Sequence, residues 1–306
     1  MESKKTFKIL SIDGGGIRGV YSVHILKRIE EEFKIRLHDY FDLIAGTSTG
    51  SIIAAAIACD ISLDDVEKLY TEKGSLIFTK RKNIGISCKG LFSSIYDSKE
   101  LKKILNDKFQ NKKLKDVDKR LIIPSTDIFN GKVFIAKSKY HCDFVRDNNI
   151  NVADAVLGSC SAPVFFEPHH TNNYLLADGG LWANNPSLVA VIDAIRRCSK
   201  NLSEIKVLSI GTGLYKPEFN KAKKWGILNG WNAKNLINFI FALQSQSADN
   251  YVSLLLSKEQ IKRINYESDI PQTLDDCTQI DKLISKADDY FTHNAKELRN
   301  FMELKE

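Results

Sequence analysis

A run of three glycines between an apolar stretch and an amphipathic segment constrains the fold of this chain more than any other feature. Residues 8–25 read KILSIDGGGIRGVYSVHI. Phe7 to Ile12 is apolar and rich in β-forming side chains, so it predicts a short buried strand. Ile17 to Phe33 carries apolar side chains at helical spacing and predicts a helix. A strand that turns into a helix through glycines is typical of a parallel α/β sheet.

The next residues repeat this pattern. Tyr40 to Ala45 predicts a second strand, GTSTG a tight turn, and Ser51 to Cys59 an apolar helix. Residues 60–120 are mainly polar and helical, with basic loops. Further strands are predicted within 121–138 (a hairpin at Asn130-Gly131), at 174–177 and at 205–210. Further helices are predicted at 152–160, from Pro186 with Asn185 as its N-cap to about Arg197, at 232–258, and in the polar tail after Glu267.

Composition limits the class of protein. Of the 306 residues 43% are hydrophobic and 27% charged, as in ordinary globular domains. The longest apolar run, residues 52–59, is too short to span a bilayer, and the N-terminus lacks the apolar segment of a signal peptide. The six cysteines contain no C-x-x-C, so neither a zinc site nor a disulfide framework is expected. These features predict a cytoplasmic protein with reduced thiols.

Charge is mild but unevenly distributed. The net charge of +6 comes from 44 basic and 38 acidic residues. Residues 106–120 and 216–225 are basic, the second stretch ending at Trp225, whereas 267–290 is acidic. Basic stretches beside a tryptophan can contact an anionic membrane, although most such runs are solvated faces. We expect no nucleic-acid partner and leave peripheral membrane contact open.

Gly46-Thr47-Ser48-Thr49-Gly50 fits G-x-S-x-G, the pattern of a nucleophile elbow. In that turn the serine hydroxyl stands above the sheet, and the flanking glycines make room for it. A predicted strand precedes the motif directly and an apolar helix follows it, as an elbow requires. Ser48 is therefore a candidate nucleophile. The alternative is a glycine-bounded helix start without chemistry.

The glycine run itself predicts an anion site. Backbone amides of Gly14, Gly15 and Gly16 precede the predicted helix, whose dipole favours negative charge. Without Cβ atoms these residues let a ligand approach closely. The anion could be the pyrophosphate of a dinucleotide, because Gly14, Gly16 and Gly19 match G-x-G-x-x-G. It could also be the oxyanion of an acyl-transfer reaction.

Two acidic positions decide between these anions. Asp13, directly before the glycines, would repel a pyrophosphate. A dinucleotide site also needs an acidic residue at the end of the second strand. Asp39 and Asp42 lie before or at the start of that strand, and Thr47-Ser48 follows its end. The acyl-transfer interpretation is favoured.

A serine nucleophile needs a base, and the sequence offers two candidates. Among six histidines only His293 follows both Ser48 and Asp178, in the order of an α/β-hydrolase triad. Asp178 is the other candidate. It ends a short apolar strand before two glycines, so its carboxylate is expected at the exposed rim of the sheet. An apolar pocket there would raise its pKa and make it a better base.

Three blocks of this sequence together resemble the signatures of patatin-like phospholipases. They are Asp13-Gly14-Gly15-Gly16-Ile17-Arg18-Gly19, Gly46-Thr47-Ser48-Thr49-Gly50 and Asp178-Gly179-Gly180. SCSAPVFFEP at 159–168 and WANNP at 182–186 also resemble that family. The resemblance runs from about residue 6 to 213, and the part at 214–306 adds little.

The resemblance implies a single patatin-like domain over 1–306, folded as a three-layer α/β/α sandwich with a mainly parallel central sheet. It implies a serine lipid acyl hydrolase that needs no metal or organic cofactor and acts on membrane phospholipid or lysophospholipid. Ser48 would be the nucleophile and Asp178 the general base and acid. The amides of Gly14, Gly15 and Gly16, supported by Arg18, would form the oxyanion hole. The remaining motif residues are Gly46, Gly50, Gly179 and Gly180.

Two other functions remain open. Some bacterial relatives that this chain resembles are toxins or defence proteins, silent until a cyclic oligonucleotide or a host cofactor binds. The regions 60–120 and after 213 could hold a regulatory surface for such a small-molecule activator. A non-enzymatic lipid-binding or storage protein is the other possibility, but the intact Ser48 and Asp178 argue against it.

Overall fold

The computed structural model describes residues 6–79, 93–215, 233–268 and 272–304. Its strands are β1 (Phe7–Ile12), β2 (Leu43–Gly46), β3 (Arg120–Asp127), β4 (Lys132–Lys137), β5 (His169–Thr171), β6 (Tyr174–Asp178), β7 (Ile205–Ile210), β8 (Leu214–Tyr215), β9 (Ile261–Ile264) and β10 (Glu267–Ser268). Its helices are α1 (Gly19–Phe33), α2 (Leu37–Tyr40), α3 (Thr49–Ala58), α4 (Leu63–Thr71), α5 (Gly74–Ile77), α6 (Lys99–Phe109), α7 (Val152–Ser159), α8 (Gly180–Ala183), α9 (Ser187–Arg197), α10 (Ala233–Leu255) and α11 (Ile280–Phe301).

The central sheet is mainly parallel, as predicted. Its order is β5-β6-β3-β2-β1-β7-β9, and β4 also pairs with β3. The strands β3, β2, β1, β7 and β9 pair in parallel. Antiparallel pairing is confined to β4, β5 and β6 at one side. Because parallel strands all end at one edge, the turns that follow β1 and β2 lie side by side.

Helices cover both faces of the sheet, which confirms the three-layer sandwich. Alternate residues of a strand point to opposite faces. Ile9 and Leu43 accordingly pack in a core with α9 and the end of α10. Their neighbours Leu10 and Ile44 pack on the other face with α1, α3, α4, α6, α7 and α11. Among the described residues no helix is both long and apolar enough to cross a membrane.

Three predicted boundaries differ from the structure. The second strand begins at Leu43, not Tyr40, because the chain first makes the helical turn α2, in which Tyr40 N donates to Arg36 O. The first helix is preceded by a 3₁₀ turn, Gly16–Arg18, and its α-helical part starts at Gly19. The helix α9 starts at Ser187, one residue late, although Asn185 Oδ1 does accept a hydrogen bond from Ser187 N.

The C-terminal part contains strands that the sequence did not reveal. The tail after Glu267 was predicted helical, and α11 confirms this from Ile280 onward. However, Glu267 and Ser268 form β10, and the preceding β9 joins the central sheet. The sequence of β9, IKRI, is half polar and only four residues long, so its hydrophobic pattern carries little signal. The basic stretch 216–225 with Trp225 lies outside the described residues.

Candidate active site

Ser48 occupies a sharp turn between β2 and α3. Its backbone has φ 52° and ψ −129°, and a positive φ is unusual for a residue with a side chain. The turn is also crowded. A Cβ at Gly46 would lie 2.2 Å from Gly50 O, and one at Gly50 would lie 2.4 Å from Ile12 O. The geometry is that of a nucleophile elbow, as the motif predicted.

Hydrogen bonds hold this strained turn in place. Ser48 N donates to Ser159 Oγ at 2.9 Å, and Ser159 Oγ donates to Pro124 O. Ser51 Oγ donates to Ser48 O. Strain of this kind persists only where the surroundings determine the conformation. Ser159 was part of a stretch that resembled the family, but only the structure shows that it positions the Ser48 backbone.

Asp178 lies at the end of β6 and contacts Ser48 directly. Its Oδ2 accepts a hydrogen bond from Ser48 Oγ at 2.7 Å, and its Oδ1 accepts one from Gly180 N at 2.7 Å. Burial raises the pKa of Asp178 to about 7, although both hydrogen bonds act in the opposite direction. The predicted exposure at the sheet rim is wrong. The carboxylate is fully buried between Ser48 and Gly180, and the Asp178 backbone N donates to Ser161 O.

The structure does not bring His293 to this pair. The His293 side chain is 71% exposed on α11 and contacts Asp289 of the same helix. His169 pairs with Asp154, and His24 lies between Glu67 and Asp288. Within the described ranges, neither oxygen of Asp178 has a histidine partner. The arrangement is therefore a serine–aspartate pair without a triad.

The glycine loop offers two amides for an anion, where three were predicted. Gly14 N already donates to Asn184 O at 3.1 Å. The amides of Gly15 and Gly16 have no hydrogen-bond acceptor among the residues that the structure describes. Gly16 adopts φ +60°, and a Cβ there would lie 2.2 Å from Leu274 O. Only glycine fits this position, where the loop turns toward the Ser48 pocket.

Two arginines support the loop from outside. Arg18 Nε donates to Gly15 O at 3.1 Å, in line with the supporting position that the resemblance implied. Arg263 on β9 binds both carboxylate oxygens of Asp13, at 2.8 and 2.6 Å. The Asp13 charge is thus paired, so its predicted repulsion of a pyrophosphate is weaker than the sequence suggested. Arg263 lies in a region in which no sequence motif was found.

Ser48 and Gly16 line the same pocket. This front pocket is almost entirely apolar. Its wall includes Ile52, Leu69, Ile77, Phe78, Leu101, Ile104, Leu105, Phe165 and Phe166. Among the described residues, the polar side chains on its lining are the hydroxyls of Ser48, Thr49 and Tyr70 and the thiol of Cys160. Such a cavity suits a hydrocarbon chain placed next to the Ser48 hydroxyl.

A possible metal-binding group lies outside this site. Among the described residues, His141, Cys142 and Asp143 place their ligand atoms within 4.8 Å of one another. They belong to the segment after β4, and Asp143 forms an ion pair with Arg197. None of the three lines the front pocket. The Ser48–Asp178 pair has no metal-binding group beside it in the described structure.

Known proteins are similar in sequence to this chain. A family model described as patatin-like phospholipase matches residues 10–191. The chain is 33% identical over 223 residues to a cGAMP-activated phospholipase of Escherichia coli (strain TW11681), which covers 68% of this chain and 63% of that protein. It is 31% identical over 312 residues to a cUMP-AMP-activated phospholipase of Escherichia coli, covering 96% and 93%.

This chain therefore spans less than two thirds of the first relative and nearly all of the second. Among solved structures, VipD from Legionella pneumophila is similar with a TM-score of 0.45 and 14% identity, covering 92% of this chain and 67% of that one. The family match extends over more than half of the chain and includes Ser48 and Asp178. The chain belongs to the patatin-like phospholipase family.

Proposed function

We propose that this protein is a serine lipid acyl hydrolase of the phospholipase A or lysophospholipase type. The observation that carries the proposal is the hydrogen bond of 2.7 Å between Ser48 Oγ and the buried Asp178 carboxylate, at the wall of an apolar pocket. A carboxyl with a pKa of about 7 can both take and return a proton at neutral pH. Family membership supports the lipid as substrate.

In the proposed reaction, Ser48 Oγ attacks the ester carbonyl carbon and its proton passes to Asp178 Oδ2. The amides of Gly15 and Gly16 stabilise the oxyanion that forms. Asp178 returns the proton to the leaving alcohol as the ester bond breaks, which leaves an acyl group on Ser48. Water then attacks this acyl-enzyme, Asp178 takes its proton, and the fatty acid leaves as Ser48 is reprotonated.

The decisive measurement is fatty-acid release from mixed phospholipid vesicles, followed by mass spectrometry. We expect Ser48→Ala to lower the rate by on the order of 10³-fold or more, because Ser48 Oγ carries the acyl intermediate in the proposed reaction. Ser253→Ala, at an exposed serine of α10, is the matched control and should keep full activity. Undiminished release by a folded Ser48→Ala protein would exclude the proposal.

We also propose that a small molecule activates the enzyme. Relatives that align with this chain are named as cGAMP-activated and cUMP-AMP-activated phospholipases, and the latter aligns over 96% of it. Fatty-acid release should then rise when one of these two cyclic dinucleotides is added. Equal rates with and without both compounds would count against activation by either of them.

We infer that the protein meets lipid through the hairpin of β3 and β4. Ser125 of β3 pairs with Asp178 of β6, and β3 continues two residues further, to Asp127. At about 3.3 Å per residue, the end of β3 lies about 7 Å beyond Asp178, and the turn at the hairpin tip follows it. Phe129 at this tip is 75% exposed. An exposed aromatic side chain on the active-site edge favours contact with a membrane surface.

A further inference from the structure

A second pocket lies on the other side of the glycine loop. This rear pocket, unlike the front pocket, is lined by both polar and apolar side chains. Carboxamides of Asn184, Asn235, Asn238, Asn265 and Gln272 line it, together with the guanidinium of Arg18 and the carboxylate of Asp13, which is paired with Arg263. Carboxamides present donors and acceptors side by side, and an arginine binds phosphate. Phe239 and Phe241 add aromatic surface.

Among the described residues, two buried acceptors beside the rear pocket are unpaired. Asn238 Oδ1 accepts no hydrogen bond, and neither does Asn184 Oδ1, which lies against Gly14 and Gly180. Arg18 has no ion-pair partner among the described residues, and its Nε–H is already bound to Gly15 O. Unpaired buried acceptors are rare and cost about 1–3 kcal/mol each, so a ligand that donates to Asn238 Oδ1 is favoured.

The same side chains hold the carbonyls of the glycine loop. Thr212 Oγ1 donates to Gly14 O at 2.7 Å, and Asn184 Nδ2 donates to the same oxygen at 3.3 Å. Arg18 Nε and Arg18 N both donate to Gly15 O, at 3.1 and 3.2 Å. The loop has no cis peptide, and in a trans peptide the carbonyl and the following N–H point in opposite directions. Bonds on the rear side therefore direct the amides of Gly15 and Gly16 away from the rear pocket.

We propose that the rear pocket binds a nucleotide, and that its occupancy sets the orientation of the Gly15 and Gly16 amides beside Ser48. The inference rests on the proposed acyl-hydrolase function, and it identifies the rear pocket as the site at which a small molecule would activate the enzyme. The carboxamides would read the hydrogen-bonding edge of a base, as Asn and Gln do in nucleic-acid recognition. Arg18 would bind a phosphate. Once it does so, its hold on Gly15 O changes, and the peptide that bears the Gly16 amide responds.

Binding can be tested without hydrolysis. Isothermal titration calorimetry on the Ser48→Ala protein would use cGAMP, cUMP-AMP and AMP as probes. Asn238→Leu in that background removes one unpaired acceptor and keeps a good helix former in α10, so the fold should be retained. We expect at least one probe to bind, with an affinity at least tenfold lower in Asn238→Leu. Asn250→Leu, an exposed position of α10, is the matched control and should bind as the parent does.

The outcomes separate this inference from the hydrolase proposal. Equal affinity of Asn238→Leu and its parent would place the ligand elsewhere. Failure of all three probes to bind at millimolar concentration would exclude a nucleotide in the rear pocket. Neither result depends on turnover, so a protein that binds but releases no fatty acid would contradict only the hydrolase proposal.

A separate measurement tests whether occupancy of the rear pocket changes the glycine loop. A fluorophosphonate labels an active serine and needs no lipid. In the chain with Ser48 intact, we expect a saturating nucleotide to change the labelling rate at least fivefold. Asn250→Leu should keep that response and Asn238→Leu should lose it. An unchanged labelling rate under saturated binding would show that the pocket does not control the loop.

Discussion

At the scale of single residues, Asp178 combines two opposing influences. Complete burial disfavours its charge, while hydrogen bonds from Ser48 Oγ and Gly180 N favour it. Burial dominates, so the pKa of Asp178 rises to about 7. A proton acceptor with this pKa is half-ionised at neutral pH, and the proposed chemistry depends on that balance.

The pH dependence of the reaction follows from this pKa. We expect kcat/KM for a soluble p-nitrophenyl ester to rise with pH up to about 7 and then to level off, because only the ionised Asp178 accepts the Ser48 proton. Below that pH the rate should fall about tenfold per pH unit. A profile that stays flat down to pH 5 would exclude Asp178 as the base.

The same carboxyl should weaken the fold at high pH. Its pKa is higher in the folded chain than the ordinary 3.8 of the unfolded one, so the folded state binds the proton more tightly. The free energy of unfolding therefore falls as pH rises from about 4 to about 7. Asp178→Asn removes the charge, and its amide can still accept from Gly180 N and donate to Ser48 Oγ. We expect this inactive variant to gain up to about 4 kcal/mol at pH 8.

Urea unfolding at pH 4 and pH 8 measures this gain, which should be small at pH 4. Asp107→Asn, at an exposed position of α6, is the matched control and should show no such pH-dependent gain. If Asp178→Asn is less stable than the wild type at pH 8, the buried charge of Asp178 does not destabilise the fold.

At the scale of elements, β9 stabilises the loop that follows β1. The guanidinium of Arg263 on β9 binds Asp13 through both carboxylate oxygens and also donates to Ser209 Oγ on β7. Ser245 Oγ of α10 adds a further hydrogen bond to Asp13. The loop before α1 is thus held by elements from the last third of the chain.

Breaking this buried ion pair should be costly. Arg263→Met leaves the Asp13 charge buried without a counter-charge, and we expect a loss of about 3–5 kcal/mol in the free energy of unfolding. The double variant Asp13→Asn/Arg263→Met removes both charges and should recover much of that loss. Urea unfolding of the wild type, both single variants and the double variant forms a complete cycle. Strictly additive losses would show that the two side chains do not interact.

Three helices meet at His24 of α1. Its ring contacts Glu67 of α4 and Asp288 of α11. Burial alone would lower the pKa of His24, but its hydrogen bonds to the two carboxylates outweigh burial and raise it. A raised pKa means that the folded state holds the proton more tightly. Protonated His24 therefore stabilises the fold fully below about pH 6.5, and this stabilisation is lost as pH rises through the pKa of His24 in the folded state.

We therefore expect His24→Gln to lower the free energy of unfolding more at pH 6 than at pH 9. Urea unfolding at the two pH values measures the difference. His293→Gln, on the exposed side of α11, should show a much smaller difference between the two pH values. An equal loss at both pH values for His24→Gln would mean that protonation of this histidine does not stabilise the helix contacts.

At the scale of the whole molecule, the hairpin tip and the active site share one edge of the sheet. If the tip enters lipid, burying Phe129 contributes about 1.5–3 kcal/mol to membrane binding. Phe129→Asp should then reduce vesicle binding in a flotation assay by 10-fold or more. Its hydrolysis of a soluble ester should be unchanged. Leu254→Asp, an 84% exposed position on α10, serves as control, and equal binding losses for both variants would exclude a specific role of the hairpin.

The sequence predicted the parts of this molecule that depend on short-range pattern. The elbow around Ser48 needs glycines at fixed spacing, and the segment before Asp178 needs an apolar strand, so both could be located. The burial of Asp178 could not, because it depends on contacts with Ser48 and Ser161, which are distant in sequence or lie on another segment. The Asp13–Arg263 pair joins positions 250 residues apart, and no local pattern encodes it. The rear pocket is hidden for the same reason, since it combines side chains from both ends of the chain.

The contacts of the glycine loop also have a consequence for synthesis. Ile17 N donates to Leu274 O, and Asp13 is paired with Arg263. A ribosome that has translated the first 200 codons has already produced Ser48 and Asp178, but not the residues that hold the loop beside them. The loop acquires its fixed form only after position 274 has left the exit tunnel. A nascent or prematurely terminated chain of 200 residues therefore contains Ser48 and Asp178 but lacks Arg263 and Leu274, which contact the glycine loop beside them.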